Sequence, residues 1–99
     1  MEKDLLLDSV KNKLNITWKD QLTNFKIKDL INDAIIAMNF KLGADDIDYS
    51  KNGLEHQLFL NYCLYSYNNC LNEFDTNYMN EIYQIRSIYE VKQYEEDEI

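Results

Sequence analysis

The sequence predicts an all-α protein: a small helical bundle of three longer helices plus a short N-terminal helix, with a C-terminal extension. The 99 residues include no proline, and the only two glycines, Gly43 and Gly53, lie in one central stretch. Elsewhere apolar side chains recur every three or four positions, which is typical of helices and not of strands. A chain of this length forms one domain. We predict a helical domain over residues 1–89 and an acidic extension over residues 90–99.

The first two helices follow from apolar spacing and from residues that cap helix ends. The first is expected over residues 5–14, with Asp4 as its N-cap and Asn15 at its end. Thr17 and Asp20 then have the spacing of a capping box, which predicts the start of a long second helix. This helix should end at a C-terminal glycine. Its expected core stripe is Ile27, Ile31, Ala34, Met38 and Leu42, widened by Leu22, Phe25, Leu30 and Ile35.

A loop over residues 44–51 separates the second helix from a third, and Ile47 and Tyr49, which alternate with its aspartates, are expected to anchor it on the core. Asn52 is the predicted N-cap of the third helix, which should end near Phe74. Its middle is apolar or aromatic nearly all round, so it is either central or covered by another chain. Cys63 and Cys70 would then lie on one face about 10 Å apart, too far for a disulfide. We expect two buried thiols and a reducing compartment.

The fourth helix and the extension differ sharply in composition. Helical spacing relates the apolar residues of the fourth helix, which are Tyr78, Ile82, Ile85 and Tyr89. The last ten residues hold five acidic side chains and one lysine. An acidic tail with a few apolar side chains can become ordered on a partner. We therefore expect the extension to be a docking segment, through Val91, Tyr94, Glu95, Glu96, Asp97, Glu98 and Ile99.

The charge balance limits the functions that the chain can have. Ten basic and 18 acidic side chains give a net charge of -8, which opposes any sequence-independent binding to phosphate backbones. The apolar run Leu5 to Leu7 is far shorter than the core of a secretory signal. The longest later run, residues 34–38, is far below the about 20 residues of a membrane span. We expect a soluble protein that stays in the cytoplasm.

No residue pattern predicts catalysis, a metal site or a cofactor. His56 is the only imidazole, and a structural role is expected for it near the start of a helix. The two cysteines have no partners at zinc-binding spacing. The run Asp46-x-Asp48-x-Ser50 begins like a calcium loop but lacks the later glycine and glutamate. We expect a protein that is not an enzyme.

The tyrosines are candidates for contacts between copies of the chain. Eight tyrosines occur in 99 residues, and tyrosine is enriched where one protein surface meets another. Tyr62, Tyr65 and Tyr67 cannot all be buried on one side of a single helix, so some of them face outward. Together with Tyr83, they form the predicted contact between subunits.

The order of these features resembles the phage head-tail connector family, the head-completion adaptors of long-tailed phages. The N-terminal half of the similarity consists of Leu6-Leu7-x-x-Val10-Lys11-x-x-Leu14, Ile16-Thr17, Leu30-Ile31-x-x-Ala34 and Leu42-Gly43. The C-terminal half consists of Tyr65-x-Tyr67-Asn68-Asn69, Glu73-Phe74-x-x-Asn77-Tyr78-x-x-Glu81-Ile82, Arg86 and Tyr89-Glu90-Val91. The similarity therefore extends over nearly the whole chain.

This resemblance implies a structural virion protein, made in the host cytoplasm and located in the neck of the particle. Such adaptors form a ring, usually of twelve copies, under the portal and join the capsid to the tail. DNA passes through the ring without specific binding. The partners implied are further copies of the chain, the portal protein, and the next head-tail or tail-completion protein. The C-terminal segment would meet the portal. We place a tail-side contact in the loop, at Asp45, Asp46, Ile47, Asp48 and Tyr49.

A function of another class also fits the charge. A small acidic inhibitor that imitates DNA would use the same negative charge to occupy the basic groove of a DNA-binding protein. Such an inhibitor needs carboxylates at regular spacing on one face. In this sequence the acids are spread through loops and concentrated in the last ten residues, which favours the adaptor.

Overall fold

A computed structural model describes the backbone of residues 1–97 and the side chains through Glu95. Five α-helices follow one another: α1 (Lys3–Lys13), α2 (Gln21–Leu42), α3 (Leu54–Tyr67), α4 (Phe74–Asn77) and α5 (Met79–Asp97). A 3-10 turn, Leu71–Glu73, precedes α4. No strand occurs in residues 1–97. The predicted class is confirmed: α2, α3 and α5 are the three longer helices, and α1 is the short N-terminal one.

The first two helices begin at other residues than predicted. The N-cap of α1 is Glu2, without a side-chain bond, so the prediction of Asp4 was wrong. Asp4 lies in the first turn, where its negative charge interacts favourably with the positive end of the helix dipole. The N-cap of α2 is Asp20, which accepts the backbone N–H of Leu22 at 3.3 Å. Thr17 lies outside α2, so the predicted capping box was also wrong.

The third helix differs from the prediction at both ends. Its N-cap is Gly53, not Asn52. Gly53 has φ 152° and ψ -172°, a backbone conformation open essentially to glycine alone. The helix ends at Tyr67 instead of near Phe74. Cys70 therefore follows the helix, and the two cysteines do not share a helix face. Cys63 is fully buried, Cys70 is half-buried, and they are not bonded to each other.

Helices α1, α2 and α3 end in the same way, at a residue with positive φ. These residues are Asn15, Gly43 and Asn69, with φ of 61°, 73° and 59°. In each case the next backbone N–H returns to a carbonyl of the last turn: Ile16 to Lys11 at 2.9 Å, Ala44 to Asn39 at 3.2 Å, and Cys70 to Tyr65 at 2.9 Å. This is the hydrogen bond of the Schellman motif. The ends predicted at Asn15 and Gly43 are confirmed.

The core forms where α2 packs against α1, α3 and α5. The predicted stripe of α2 is confirmed, since Ile27, Ile31, Ala34, Met38 and Leu42 are all buried. They meet buried side chains of the other helices and the loop, namely Leu6, Val10, Ile47, Tyr49, Leu58, Phe59, Cys63, Ile82 and Ile85. The prediction that Leu22 and Phe25 widen the stripe was wrong, because 61% and 64% of their surfaces are exposed.

The segment between α3 and α5 is held by a cluster of aromatic rings. Phe74 is completely buried at its centre. Tyr62 and Tyr65 of α3 meet it edge to face, with ring centroids 5.1 and 5.7 Å away, and Tyr78 lies at 5.0 Å. Edge-to-face pairs at these distances are favourable arrangements of aromatic quadrupoles. The cluster fixes the start of α5 against α3.

The bundle is elongated, with extents of 49 × 28 × 19 Å. Helix α5 crosses residues 89 and 90 without a break and ends at Asp97. The predicted domain boundary at this point stays a prediction. No helix within residues 1–97 has both the length and the apolar character that crossing a bilayer requires.

Candidate functional site

Helix α2 has a second set of apolar side chains, on the side opposite to the core. Leu22, Phe25, Ile36 and Phe40 are all exposed. Leu22 and Phe40 are separated by about five turns of 3.6 residues and therefore point in the same direction, about 27 Å apart along the axis. The core stripe centred on Met38 points the other way. A helix with two apolar sides needs a second covering surface in order to bury both.

The N-terminal part of this outer side is a defined patch, the Phe25 patch, which consists of Trp18, Leu22 and Phe25. The indole N–H of Trp18 donates to the hydroxyl of Thr23 at 3.2 Å, which orients the ring beside the first turn of α2. Lys11 of α1 donates to the backbone oxygen of Trp18 at 3.2 Å. These bonds fix Trp18 and the segment before α2, whereas the side chains of Leu22 and Phe25 project into solvent.

The C-terminal part of the outer side is the wall of a groove, the Phe40 groove, between α2 and α5. Its volume is about 350 Å³, at the lower end of the range for ligand pockets. Phe40 is the most exposed large apolar residue among the described side chains, at 86%. The groove is lined by Phe40, Lys41, Asp75, Thr76, Met79, Ile82, Tyr83 and Arg86.

Two ion pairs lie beside the groove. Lys41 of α2 contacts both carboxylate oxygens of Asp75, at 2.7 and 2.9 Å, and joins α2 to α4. Arg86 lies 3.5 Å from Glu90, one turn along α5. The carboxylate side chains remain open to solvent, at 65% for Asp75 and 69% for Glu90. Each of them can therefore accept a second cation from outside the molecule.

Helix α5 also exposes apolar groups, on the side away from α2 and α3. Its buried residues are Ile82 and Ile85, whereas Ile88, Val91 and Tyr94 are more than half exposed. Val91, Tyr94 and Glu95, three of the residues predicted to dock on the portal, therefore lie on an open helical surface. Glu96 and Asp97 belong to α5, but their side chains lie outside the described part. Glu98 and Ile99 lie outside the described residues altogether.

The four tyrosines predicted as a subunit contact occupy two environments. Tyr62 and Tyr65 are half-buried in the aromatic cluster around Phe74, and burial raises the pKa of the Tyr62 hydroxyl. Asn77 donates to the Tyr65 hydroxyl at 2.9 Å. Tyr67 and Tyr83 are exposed. Tyr83 lines the Phe40 groove, so the structure brings it together with apolar residues that the sequence reasoning had not selected.

The loop over residues 44–51 is pinned to the core by the two anchors expected from the sequence. Ile47 and Tyr49 are buried, the ring of Tyr49 stacks on Phe59 at 4.6 Å, and its hydroxyl donates to Asn39 at 2.8 Å. Burial is the main cause of the raised pKa of the Tyr49 hydroxyl. His56 Nδ1 lies 2.7 Å from the Tyr49 carbonyl oxygen, which gives this histidine a structural contact.

The acidic side chains of the same loop face outward. Asp45 and Asp46 are exposed, whereas Asp48 is half-buried. Asp48 accepts hydrogen bonds from the hydroxyl and the backbone N–H of Ser50, the latter at 3.0 Å, and the hydroxyl bond is the main cause that lowers its pKa. The exposed part of the predicted tail-side contact therefore consists of Asp45 and Asp46.

The described residues offer apolar and charged contact surfaces. No group of three or more side chains that could hold a metal ion occurs in the described part of the chain. Burial raises the pKa of the Cys63 thiol to about 12, so this cysteine is protonated and unreactive at neutral pH.

Sequence reasoning missed the groove, although the signal was present. Ile36 and Phe40 repeat at helical spacing with Leu22 and Phe25, on the side of α2 opposite to Ile31 and Met38. One layer of neighbouring helices cannot bury apolar residues over so wide an arc of α2. An arc of this kind indicates two covered sides.

Comparison of the chain with protein-family models, with curated proteins and with solved structures gave no match in any of the three searches.

Proposed function

We propose that the chain is a structural subunit of a phage neck, a head-tail connector that forms a ring beneath the portal and through which DNA passes. The observation that carries this proposal is the presence of outward-facing apolar side chains on both α2 and α5. The resemblance described above implies the same role.

A ring contact requires two different surfaces on each subunit, because every copy meets one neighbour with one side and the next neighbour with another. The Phe25 patch and the Phe40 groove supply two such surfaces on one chain. Large exposed apolar areas on a small soluble protein are typical of protein contacts. Catalysis does not require such exposed apolar areas.

The negative charge fits a channel for DNA. With 18 acidic and ten basic side chains, the chain has a net charge of -8, which opposes binding to phosphate. A ring of such subunits would let a duplex slide without binding it. The C-terminal part of α5, with Val91, Tyr94 and Glu95 exposed, is in this proposal the segment that docks on the portal, and Asp45 and Asp46 face the next tail protein.

The test is binding to portal rings encoded by the same genome. The purified chain is mixed with these rings and analysed by sedimentation and negative-stain electron microscopy. We expect the chain to sediment with the portal and to add a ring of density to one end. Portal rings that sediment without the chain would contradict the proposal.

A truncated variant locates the docking segment. Removal of residues 90–99 should leave the bundle folded, because residues 90–95 are all exposed, and it should abolish co-sedimentation with the portal. Circular dichroism and thermal unfolding serve as the folding control. A folded truncated chain that still binds the portal would refute the assignment of the docking segment.

The DNA-mimic alternative gives a different result in the same experiments. An inhibitor that imitates DNA would ignore the portal, remain a monomer or dimer, and displace duplex DNA from a basic protein. Such an inhibitor does not need exposed phenylalanine side chains. The apolar surface of α2 therefore favours the connector.

A further inference from the structure

We infer that Asn52 and Gly53 form a site of spontaneous covalent modification, at which the asparagine deamidates through a cyclic imide. The site lies directly before α3, outside the Phe25 patch and the Phe40 groove, and the inference does not depend on the proposed function. Asparagine is one of the chemically labile residue types. Of the twelve asparagines in the chain, Asn52 is the only one that a glycine follows.

The reaction is an attack of the Gly53 backbone nitrogen on the side-chain carbonyl carbon of Asn52. A bond forms between these two atoms, the Gly53 nitrogen gives up its proton, and the side-chain nitrogen of Asn52 leaves as ammonia. Water then opens the resulting succinimide ring at one of its two carbonyls, which gives aspartate or isoaspartate. Water is the only co-reactant that the two steps need. A glycine in the second position favours the attack, because it has no Cβ beside the reacting nitrogen.

Both residues of the pair are open to this attack. Asn52 and Gly53 are exposed. Within residues 1–95, neither the Asn52 side chain nor the Gly53 N–H takes part in a hydrogen bond. Apart from the adjacent residues, the position where a Gly53 side chain would begin has one described neighbour within 4 Å, a carboxylate oxygen of Glu55 at 3.8 Å. No described contact therefore blocks the approach of the nitrogen to the carbonyl carbon.

The backbone before Gly53 is free to rotate, as ring closure requires. The Gly53 carbonyl oxygen is fixed, because it accepts the N–H of Gln57 at 3.1 Å in the first turn of α3. On the other side, the nearest backbone hydrogen bond runs from the Lys51 N–H to the Asp48 carbonyl oxygen and is long, at 3.4 Å. Exposed segments with few backbone hydrogen bonds open locally at a low cost in free energy. Residues 51–53 form such a segment, since all three are exposed.

Exposed asparagines inside the helices lack this combination. Asn12 and Asn32 are exposed, but they lie within α1 and α2. The backbone nitrogen that follows each of them belongs to the helix, where it donates to the carbonyl oxygen four residues earlier. Ring closure at these positions would require the helix to unwind. They therefore serve as internal controls for the reaction at Asn52.

Either product adds one negative charge to the surface that also carries the exposed Asp45 and Asp46. The new carboxylate would lie just before the first turn of α3, where the positive end of the helix dipole favours an anion. The aspartate product is therefore compatible with the fold. Isoaspartate adds a methylene group to the main chain, but it does so outside the helix. Deamidation thus changes the charge of a chain that stays folded.

The test is incubation of the full chain in warm, mildly alkaline buffer. Peptide mass spectrometry measures, at each asparagine, the mass increase that accompanies the replacement of NH2 by OH, and electron-transfer fragmentation distinguishes isoaspartate from aspartate. The same chain unfolded in guanidinium chloride gives the rate without structure. We expect Asn52 to convert in the folded chain at a rate within a few-fold of the unfolded rate, with isoaspartate among the products. Asn12 and Asn32 should remain intact.

The rate at Asn52 should rise with pH, because the attack requires a deprotonated Gly53 nitrogen. Asn52→Gln is the matched variant, since glutamine would have to close a larger ring, and it should keep its amide. Circular dichroism monitors the fold during incubation.

Three results would overturn the inference. One is an intact Asn52 in the folded chain over a period in which the unfolded chain converts. Another is conversion to aspartate alone, because that product bypasses the cyclic imide. The third is loss of the helical signal before conversion, because the reaction would then require unfolding. None of these results bears on portal binding, so the proposed function is tested separately.

Discussion

Single residues decide whether an aromatic side chain stabilises the fold or remains available to a partner. Phe74 and Phe40 show the two extremes, since the first is fully buried and the second is 86% exposed. Their sequence contexts are alike, each within a stretch of helical spacing. Burial depends on what lies opposite: Phe74 packs against Tyr62 and Tyr65 of α3, whereas Phe40 lies on the side of α2 away from the core.

This difference predicts that alanine substitution strongly lowers the free energy of unfolding at position 74 and barely changes it at position 40. Phe74→Ala should lower the free energy of unfolding by about 3–5 kcal/mol, because it removes the ring that Tyr62, Tyr65 and Tyr78 pack against. Phe40→Ala should change it by no more than about 0.5 kcal/mol. Urea denaturation measures both. If Phe74→Ala prevents folding, Phe74→Leu should give a measurable decrease of about 1.5 kcal/mol in the free energy of unfolding. Equal effects at positions 74 and 40 would contradict the described core.

The buried thiol of Cys63 should make the protein less stable at alkaline pH. Burial raises its pKa from 9.0 to about 12, so the unfolded chain releases this proton first. Its stabilising contribution is complete below pH 9 and is lost as the pH rises toward 12, by at most about 1.4 kcal/mol per pH unit. Urea denaturation between these pH values should show a shallower fall for Cys63→Ala than for the natural chain. Identical slopes would contradict the burial of this thiol.

At the scale of helices, the ends of the elements follow from a few backbone conformations. With no proline and only two glycines, the chain uses Asn15 and Asn69 where glycine would be common. The sequence allowed the end at Asn15 to be predicted, because an asparagine follows the last apolar residue of the helix. It did not reveal the end of α3, because apolar residues continue through Cys70 and Leu71 to Phe74 and the spacing alone does not show the break.

The helix end at Asn69 can be tested by substitution. Asn69 has φ 59°, a conformation that costs a β-branched residue roughly 1–2 kcal/mol and costs glycine nothing. Asn69→Val should therefore lower the free energy of unfolding by about that amount, and Asn69→Gly should not lower it. Asn68→Val is the matched control, since Asn68 has φ -93°. Urea denaturation of the three variants gives the comparison, and equal losses at positions 68 and 69 would be inconsistent with this helix end.

Much of the core was predictable from the sequence, and helical spacing also indicates the outer apolar side of α2, although not what covers it. The stripe of α2 and the loop anchors Ile47 and Tyr49 follow from periodicity, which reports the side of an element that is buried. The outward positions of Leu22 and Phe25 follow from the same periodicity, because both lie on the side of α2 opposite to Ile31 and Met38, but periodicity does not show what covers that side. The sequence shows that a side chain is apolar, and the packing of the other helices decides whether it is covered.

For the whole molecule, the exposed apolar side chains of α2 and α5 support the proposed association of copies. The bundle covers one side of α2 and leaves the other open at both ends, with a basic excess in residues 1–28 and an acidic excess in the remainder. The proposed ring uses the apolar surfaces, because burial of apolar area supplies affinity between neighbouring copies.

The most direct measurement is the structure of the chain assembled on portal rings, determined by cryo-electron microscopy. The account predicts neighbouring copies in contact, with the ring of Phe40, now 86% exposed, covered by the adjacent copy. A map in which the copies stand apart, with Phe40 still in solvent, would contradict it.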